Sequence, residues 1–250
     1  MNETGGHVII GATSEIARPL ALELAMPGSR LVIAGRDAEA LEILAGDLHI
    51  RSGAHVTPIR LEATDYDSHP AFVERCIETL GAIEGVVICH GYLVPQRVAQ
   101  TDWAEARRMI EVNFMSVVSL GNLFAEYLAS RRQGYLCGVS SVAGDRGRQS
   151  NYLYGATKAG FSTYLQGLRN RLFHEGVAVI TVKPGFVDTS MIWGRINPKS
   201  PLVAAPERVA RDIARAIRKR KNVVYTPWYW RFIVAAMRLL PEAIFKRLRL

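Results

Sequence analysis

Seven short apolar runs, most of them ending in a polar or glycine-bearing turn and leading into an amphipathic stretch, recur along the 250 residues; this alternation limits the fold more than anything else in the sequence. The runs His7–Ile10, Leu31–Ala34, Val56–Leu61, Val86–Cys89, Tyr135–Val139, Val177–Val182 and Val223–Thr226 read as strands. Helices are predicted from the stretch carrying Ile16, Leu20, Leu22 and Leu24, and from Ala38–Leu48, Pro70–Leu80, Trp103–Arg131, Tyr152–His174 and Pro206–Lys219. Continuously apolar strands joined by helices are parallel and covered on both faces. The expected architecture is therefore α/β: a doubly wound, seven-stranded parallel sheet of the Rossmann type. No linker, repeat or low-complexity stretch divides it, so residues 1–250 read as one dinucleotide-binding catalytic domain, with 227–250 as an amphipathic, basic C-terminal segment.

In such sheets ligands bind beyond the carboxyl ends of the strands. Four positions stand there. The turn Gly11-Ala12-Thr13-Ser14-Glu15-Ile16-Ala17 opens the first helix, whose free N–H groups and dipole suit a pyrophosphate. Arg36 follows the second strand, where a guanidinium suits a ribose 2′-phosphate better than a free hydroxyl. Glu62 and Ala63 follow the third strand on the adenine side, and Gly91 follows the fourth, where a missing side chain admits the nucleotide.

A second constellation lies between Ser140 and Gly160. On a helix, Tyr154 and Lys158 stand at i and i+4 and share a face, which places an ammonium beside a phenol. A neighbouring cation favours the phenolate and brings the proton of Tyr154 within reach of neutral-pH chemistry. Ser141, at the end of an apolar run, can hydrogen-bond the same substrate oxygen. Taken singly, each of these signals occurs by chance; their order on successive strands is the stronger observation.

With these motifs, residues 7 to 226 resemble the short-chain dehydrogenase/reductase family. The family's catalytic tetrad of Asn, Ser, Tyr and Lys is matched by Asn113, Ser141, Tyr154 and Lys158, with the Ser thirteen residues before the Tyr; Ser140 and Tyr152 are then bystanders. The resemblance implies that Tyr154 is the general acid in reduction, that Ser141 orients the carbonyl, that Lys158 holds the nicotinamide ribose and lowers the Tyr pKa, and that Asn113 supports a water linked to Lys158. It implies cofactor contacts from Gly11, Thr13, Ser14, Ile16, Arg36, Glu62, Ala63, Gly91, Tyr154 and Lys158. The Pro184-Gly185-Phe186-Val187-Asp188-Thr189 stretch, through Pro184, Gly185, Val187 and Thr189, is expected to face the nicotinamide carboxamide. Arg36 favours NADP(H) over NAD(H). Three features depart from the family pattern: Glu15 and Ala17 replace two glycines, and Ile88-Cys89-His90 replaces Asn-Asn-Ala. His90 reads as a packed histidine rather than a catalytic one. Ser-Glu-Ile-Ala in the turn, His90-Gly91 and the tail are similar to the reductases of decaprenylphosphoryl-2-keto-pentose, which implies a bulky or lipid-linked carbonyl substrate. Dimers and tetramers are common in the family, so a homo-oligomer is expected.

Charge separates the tail from the rest. From Glu207 to Leu250 there are 12 Lys+Arg against 3 Asp+Glu, and before it 19 against 20, so the net charge of +8 belongs to one end. No nucleic-acid motif accompanies it, which leaves an anionic membrane surface as the expected partner. The apolar stretches of residues 228–250 are too short to span a bilayer, which takes ~20 apolar residues. Their aromatic and basic residues suit a segment lying among headgroups; packing on the domain, or an oligomer contact, is the competing expectation. Cys76, Cys89 and Cys137 have neither metal nor disulfide spacing, and no signal peptide is visible. The expected location is the cytoplasm, with peripheral contact at the inner face of the membrane, and no metal is expected. A reductase of small soluble carbonyls and a non-catalytic NADP-sensing protein remain the competing readings.

Overall fold

The structure, a computed structural model, describes residues 5–192, 197 and 199–248. The first half alternates as anticipated: β1 Gly6–Ile10, α1 Ala17–Leu24, β2 Arg30–Gly35, α2 Ala38–Ser52, β3 His55–Arg60, α3 His69–Leu80 and β4 Ile83–Ile88. A short helix α4 Gln96–Ala99, with no counterpart in the predicted elements, comes next. The helix predicted over Trp103–Arg131 is interrupted. It runs as α5 Trp103–Ile110, a π-helical turn Glu111–Met115 and α6 Ser116–Arg131, and Asn113 sits in the π turn.

The second half contains β5 Tyr135–Val139, α7 Tyr152–Leu172, β6 Ala178–Pro184, a small ribbon of β7 Phe186–Val187 with β8 Val203–Ala204, α8 Pro206–Arg218, β9 Val223–Thr226, α9 Trp230–Leu239 and α10 Glu242–Phe245. The helix expected to reach His174 ends at Leu172, because the chain tightens to a 3₁₀ turn over Phe173–Glu175 and reverses at Gly176. Cys89 lies just past β4 instead of inside it.

Seven strands form one parallel sheet in the order β3-β2-β1-β4-β5-β6-β9. The chain leaves β1 for β2 and β3 on one side, then returns to pair β4 with the other side of β1. That reversal opens a crevice at the carboxyl ends of β1 and β4, where ligands enter such sheets. Helices α1, α2 and α8 cover one face, around Leu20, Leu41 and Ile213. Helices α3, α6 and α7 cover the other, around Phe72, Phe124 and Phe161. Each of these fully buried side chains contributes about 1.5–3 kcal/mol by leaving water. Local signals fix the helix ends: the Asp37 carboxylate caps α2 by accepting from Ala40 N at 3.0 Å, and Gly53 closes it in the left-handed region.

Candidate functional site

At the crevice the β1 turn must fold sharply to clear the neighbouring strand. Gly11 has φ +79°, and a Cβ there would stand 2.5 Å from the His90 backbone nitrogen, so no other residue fits this crossing. The helix after it begins later than the sequence indicates, at Ala17, whose N–H donates to Ser14 Oγ at 3.3 Å. The N–H groups of Thr13 and Ile16 donate to no acceptor among the described residues. Gly11, Thr13, Ser14, Ile16, Arg36, Glu62, Ala63 and Gly91 all border one cleft of about 430 Å³.

Within the cleft, the individual side chains differ in what they have free. Arg36 is exposed and has no side-chain partner among the described residues, while the adjacent Asp37 is committed to its cap. Glu62 is folded onto Thr64, accepting from its N–H at 3.3 Å and its hydroxyl at 3.1 Å. Glu15 is not left facing an anion. Its Oε1 accepts from Ser190 N at 2.8 Å, tying the entry of α1 to the loop after β7. Partial burial opposes its ionisation, but the Ser190 bonds and the Arg18 charge outweigh that and hold its pKa below the ordinary carboxylate value.

The cleft runs into a larger cavity of about 790 Å³, and the two share Ile16, Cys89, His90, Gly91, Thr189 and Met191. Ser141, Tyr154, Lys158, Pro184, Gly185, Val187 and Thr189 line this second space. Asn113 lines neither. It is fully buried and clamps one residue: its Oδ1 accepts from Tyr92 N and its Nδ2 donates to Tyr92 O, both at 2.7 Å. The clamp brings Gly91 close, since a Cβ at 91 would lie 3.4 Å from Asn113 Oδ1 and 3.6 Å from Lys158 Nζ. His90 is packed, with Nε2 2.7 Å from Ser116 Oγ. Burial, then the charges of Lys158 and His69, push its pKa down to about 3, so it stays neutral near pH 7.

Ser141 Oγ accepts from Ala143 N at 3.1 Å and stands close enough to the Tyr154 phenol to pull its pKa down. Lys158 Nζ donates to Val139 O at 3.1 Å and lies 5.8 Å from the centre of the Tyr154 ring. Helical spacing thus brings the two side chains together, but their electrostatics run opposite to the expectation from an ion beside a phenol. Burial drives Tyr154 up to about 12, against the pull of Ser141, and draws Lys158 down to about 8. Sharing a face placed both groups in one desolvated recess, and desolvation penalises phenolate and ammonium alike. Ser140 is a structural neighbour, donating to Lys158 O at 2.9 Å, and Tyr152 is exposed.

The C-terminal segment packs behind the far wall of this cavity, against Val142, Gly185 and Phe186, which line it. Trp230 and Val234 of α9 are buried against Val142, next to Ser141, and Phe186 packs edge-on to Trp230 with ring centres 4.9 Å apart. A Cβ at Gly185 would overlap the Trp230 indole, so Gly185 is required by this close approach. Arg146, in the loop after Ser141, holds the segment down: its guanidinium donates to Met237 O and to Leu240 O, pairs with Glu242 and lies 3.7 Å over the Phe245 ring. Half of the tail therefore packs on the body. Its opposite side exposes Trp228, Phe232, Leu239, Ile244 and Leu248. In the loop 190–202, positions 193–196 and 198 lie outside the described residues, as do 249 and 250 at the end of the tail.

Several lining residues had no sequence signal. Arg148, Gln96 and Asn151 border the larger cavity and Arg108 the smaller one, where it stacks 4.6 Å over the Tyr92 ring. Their positions depend on how α4, α5 and α7 pack, which no local motif records. Among the described residues no cluster of His, Cys, Asp or Glu could hold a metal ion, and no helix is long and apolar enough to cross a membrane.

Known proteins agree with this architecture. An uncharacterised oxidoreductase of Mycobacterium tuberculosis is 36% identical over 250 residues, covering 99% of each chain. A variant of actinorhodin polyketide ketoreductase, solved with NADPH, superposes with a TM-score of 0.81 at 20% identity over 91% of this chain and 98% of its own. A short-chain dehydrogenase from Sphingobium yanoikuyae, in complex with NADPH, gives a TM-score of 0.77 at 25% identity over 95% and 97%. The family profile of the short chain dehydrogenases matches residues 7–199, from the first strand through the Ser141, Tyr154 and Lys158 recess. The chain belongs to the short-chain dehydrogenase/reductase family, oxidoreductases that act on CH–OH groups with nicotinamide cofactors.

Proposed function

We propose that this oxidoreductase is an NADP(H)-dependent reductase that interconverts a ketone and a secondary alcohol, on a bulky or lipid-linked substrate at a membrane surface. The observation that carries the reading is the meeting of Ser141, Tyr154 and Lys158 on the wall of a 790 Å³ cavity continuous with a nucleotide-sized cleft. The cleft suits the cofactor: free N–H groups at Thr13 and Ile16 for phosphate, an unpartnered Arg36 for a 2′-phosphate, and an Asp37 already engaged elsewhere. Bound there, a reduced nicotinamide supplies the hydride. The chain's own residues handle the oxygen. Ser141 donates a hydrogen bond to the carbonyl oxygen, and Tyr154 passes it the phenolic proton, which a pKa of about 12 keeps in place at neutral pH. Lys158, beside Gly91 and Val139 O, holds the nicotinamide ribose, and Asn113 shapes the Tyr92 backbone next to it.

NADPH oxidation over a panel of ketones tests this. Tyr154→Phe is expected to lower kcat about 10²–10⁴-fold, the usual worth of general acid catalysis, and a loss of only a few-fold would refute the proton assignment. A non-catalytic NADP-sensing protein would bind NADPH and turn over nothing on the panel.

The membrane part rests on the exposed side of α9 and α10, where Trp228, Phe232, Leu239, Ile244 and Leu248 alternate with Arg231, Arg238, Lys246 and Arg247. Basic residues near an anionic leaflet add up to ~1 kcal/mol each. The same surface could instead join copies of the chain in the homo-oligomers common to the family. Phe232→Ser with Leu239→Ser leaves the buried side of α9 intact. Loss of co-sedimentation with anionic vesicles supports membrane docking, whereas a change of oligomeric mass without vesicle binding supports the oligomer. A peripheral site on an anionic membrane follows from the first outcome.

A further inference from the structure

The larger cavity has more cation than its chemistry requires. Arg148 lies in the link between Ser141 and α7 and borders the cavity that Ser141 and Tyr154 line, on a different side of the crevice from Arg36. It is half-buried, and among the described residues its guanidinium has no hydrogen bond, ion pair or ring contact. Arg97 of α4 borders the same space, and its side chain is equally free. No Asp or Glu does so among the described residues. Burial pulls the pKa of Arg148 below its ordinary value, as expected where no counter-charge is present.

Two orphaned polar atoms accompany these cations. Gln96 turns its Oε1 to Leu153 N at 3.1 Å, which leaves its Nε2 a buried donor without a partner. Asn151, first after the turn in which its N–H donates to Arg148 O at 3.1 Å, keeps a buried Oδ1 without a donor. A half-buried charge is costly unless paired, so Arg148, with the exposed Arg97 beside the same space and no acidic residue among its described lining, calls for an anionic ligand. Nothing in the proton transfer uses them.

We propose that this wall is an oxyanion subsite: the ketone substrate carries a phosphate or carboxylate that Arg148 and Arg97 pair. The inference rests on the reductase reading, because it assumes that the substrate carbonyl occupies the same cavity at Ser141 and Tyr154. An arginine suits both anions by its planar, bidentate fork. The subsite would select among ketones by charge rather than by bulk alone.

The test compares kcat/KM with NADPH for two matched pairs: levulinate against its methyl ester, and dihydroxyacetone phosphate against dihydroxyacetone. The pair that shows the larger anion preference identifies carboxylate or phosphate as the group recognised. In Arg148→Met the ratio of anionic to neutral kcat/KM is expected to fall at least ~10-fold, the worth of one lost hydrogen-bonded charge, with Arg148→Lys recovering part of it. Phenylglyoxal labelling of the full chain, read by mass spectrometry with NADP⁺ present throughout, gives a second readout independent of turnover. Inorganic phosphate or acetate should protect Arg148. Equal kcat/KM within each pair would overturn the subsite and leave the reductase standing. If none of these four small ketones is reduced, labelling alone decides the subsite, whatever the fate of the reductase reading: protection upholds an oxyanion site, and unchanged labelling refutes it.

Discussion

Replacing Trp230 by alanine asks whether the C-terminal segment braces the wall of the larger cavity or merely lies beside it. The indole is 2% exposed and packs against Gly185, Phe186, Val142 and Val234. Truncating a buried Trp or Phe to Ala typically costs about 3–5 kcal/mol, from lost transfer energy and the cavity left behind. One term works against this. Trp230 Nε1 is buried without an acceptor, and removing such a group returns about 1–3 kcal/mol. The net loss centres on about 2 kcal/mol, or a fall in melting temperature of roughly 4–8 °C for a chain of this size. Trp228, 61% exposed two residues earlier, provides the comparison, and its replacement should cost less than ~1 kcal/mol. The loss should also be felt in the reaction, because Val142 and Phe186 lose the surface behind them and the Ser141 loop loosens. Chemical denaturation and steady-state kinetics of both variants read these effects. If Trp230→Ala proved as mild as Trp228→Ala in stability and in kcat/KM, the tail would not brace the cavity wall as described here.

Three other outcomes follow from the same geometry. Lys158 is charged below its pKa of about 8 and neutral above it, so kcat/KM for NADPH, which reports the free enzyme, should fall about tenfold per pH unit above that value; a profile flat to pH ~9.5 would contradict it. Arg36→Ala removes the free guanidinium at the end of β2, and the ratio of kcat/KM for NADPH to that for NADH should drop about 10–100-fold; an unchanged ratio would mean that the 2′-phosphate is held elsewhere. Asn113→Leu leaves Tyr92 N and O without partners and should cost about 2–4 kcal/mol in urea denaturation, whereas a neutral result would show that the clamp is dispensable.

What could be read from the sequence is what depends on neighbours along the chain. Tyr154 and Lys158 share a face because helical periodicity is local, and Arg36 and Gly91 stand at strand ends because apolar runs mark those ends. The π turn at Asn113 was not visible, since the chain widens there to meet Tyr92, 21 residues away. The direction of the Tyr154 pKa shift was misread for the same reason. Spacing reveals that two groups meet, but burial comes from β5, α7 and the Gly91 loop together, and here burial outweighs their mutual field. The free state of Arg148 was beyond reach too, as it is defined by what every surrounding element fails to provide. The tail's composition pointed to a surface segment; its contact with Gly185, 45 positions earlier, needed the fold.

That contact divides the labour of the chain. Every described residue lining the larger cavity falls between Ile16 and Ile192, within the stretch that the family profile matches, whereas Trp230 and Val234 stand behind it on α9. The terminal helix is a buttress: it braces Val142 and Phe186 from the side that faces away from the cavity, so changes in α9 should reach the cavity through the rigidity of that wall.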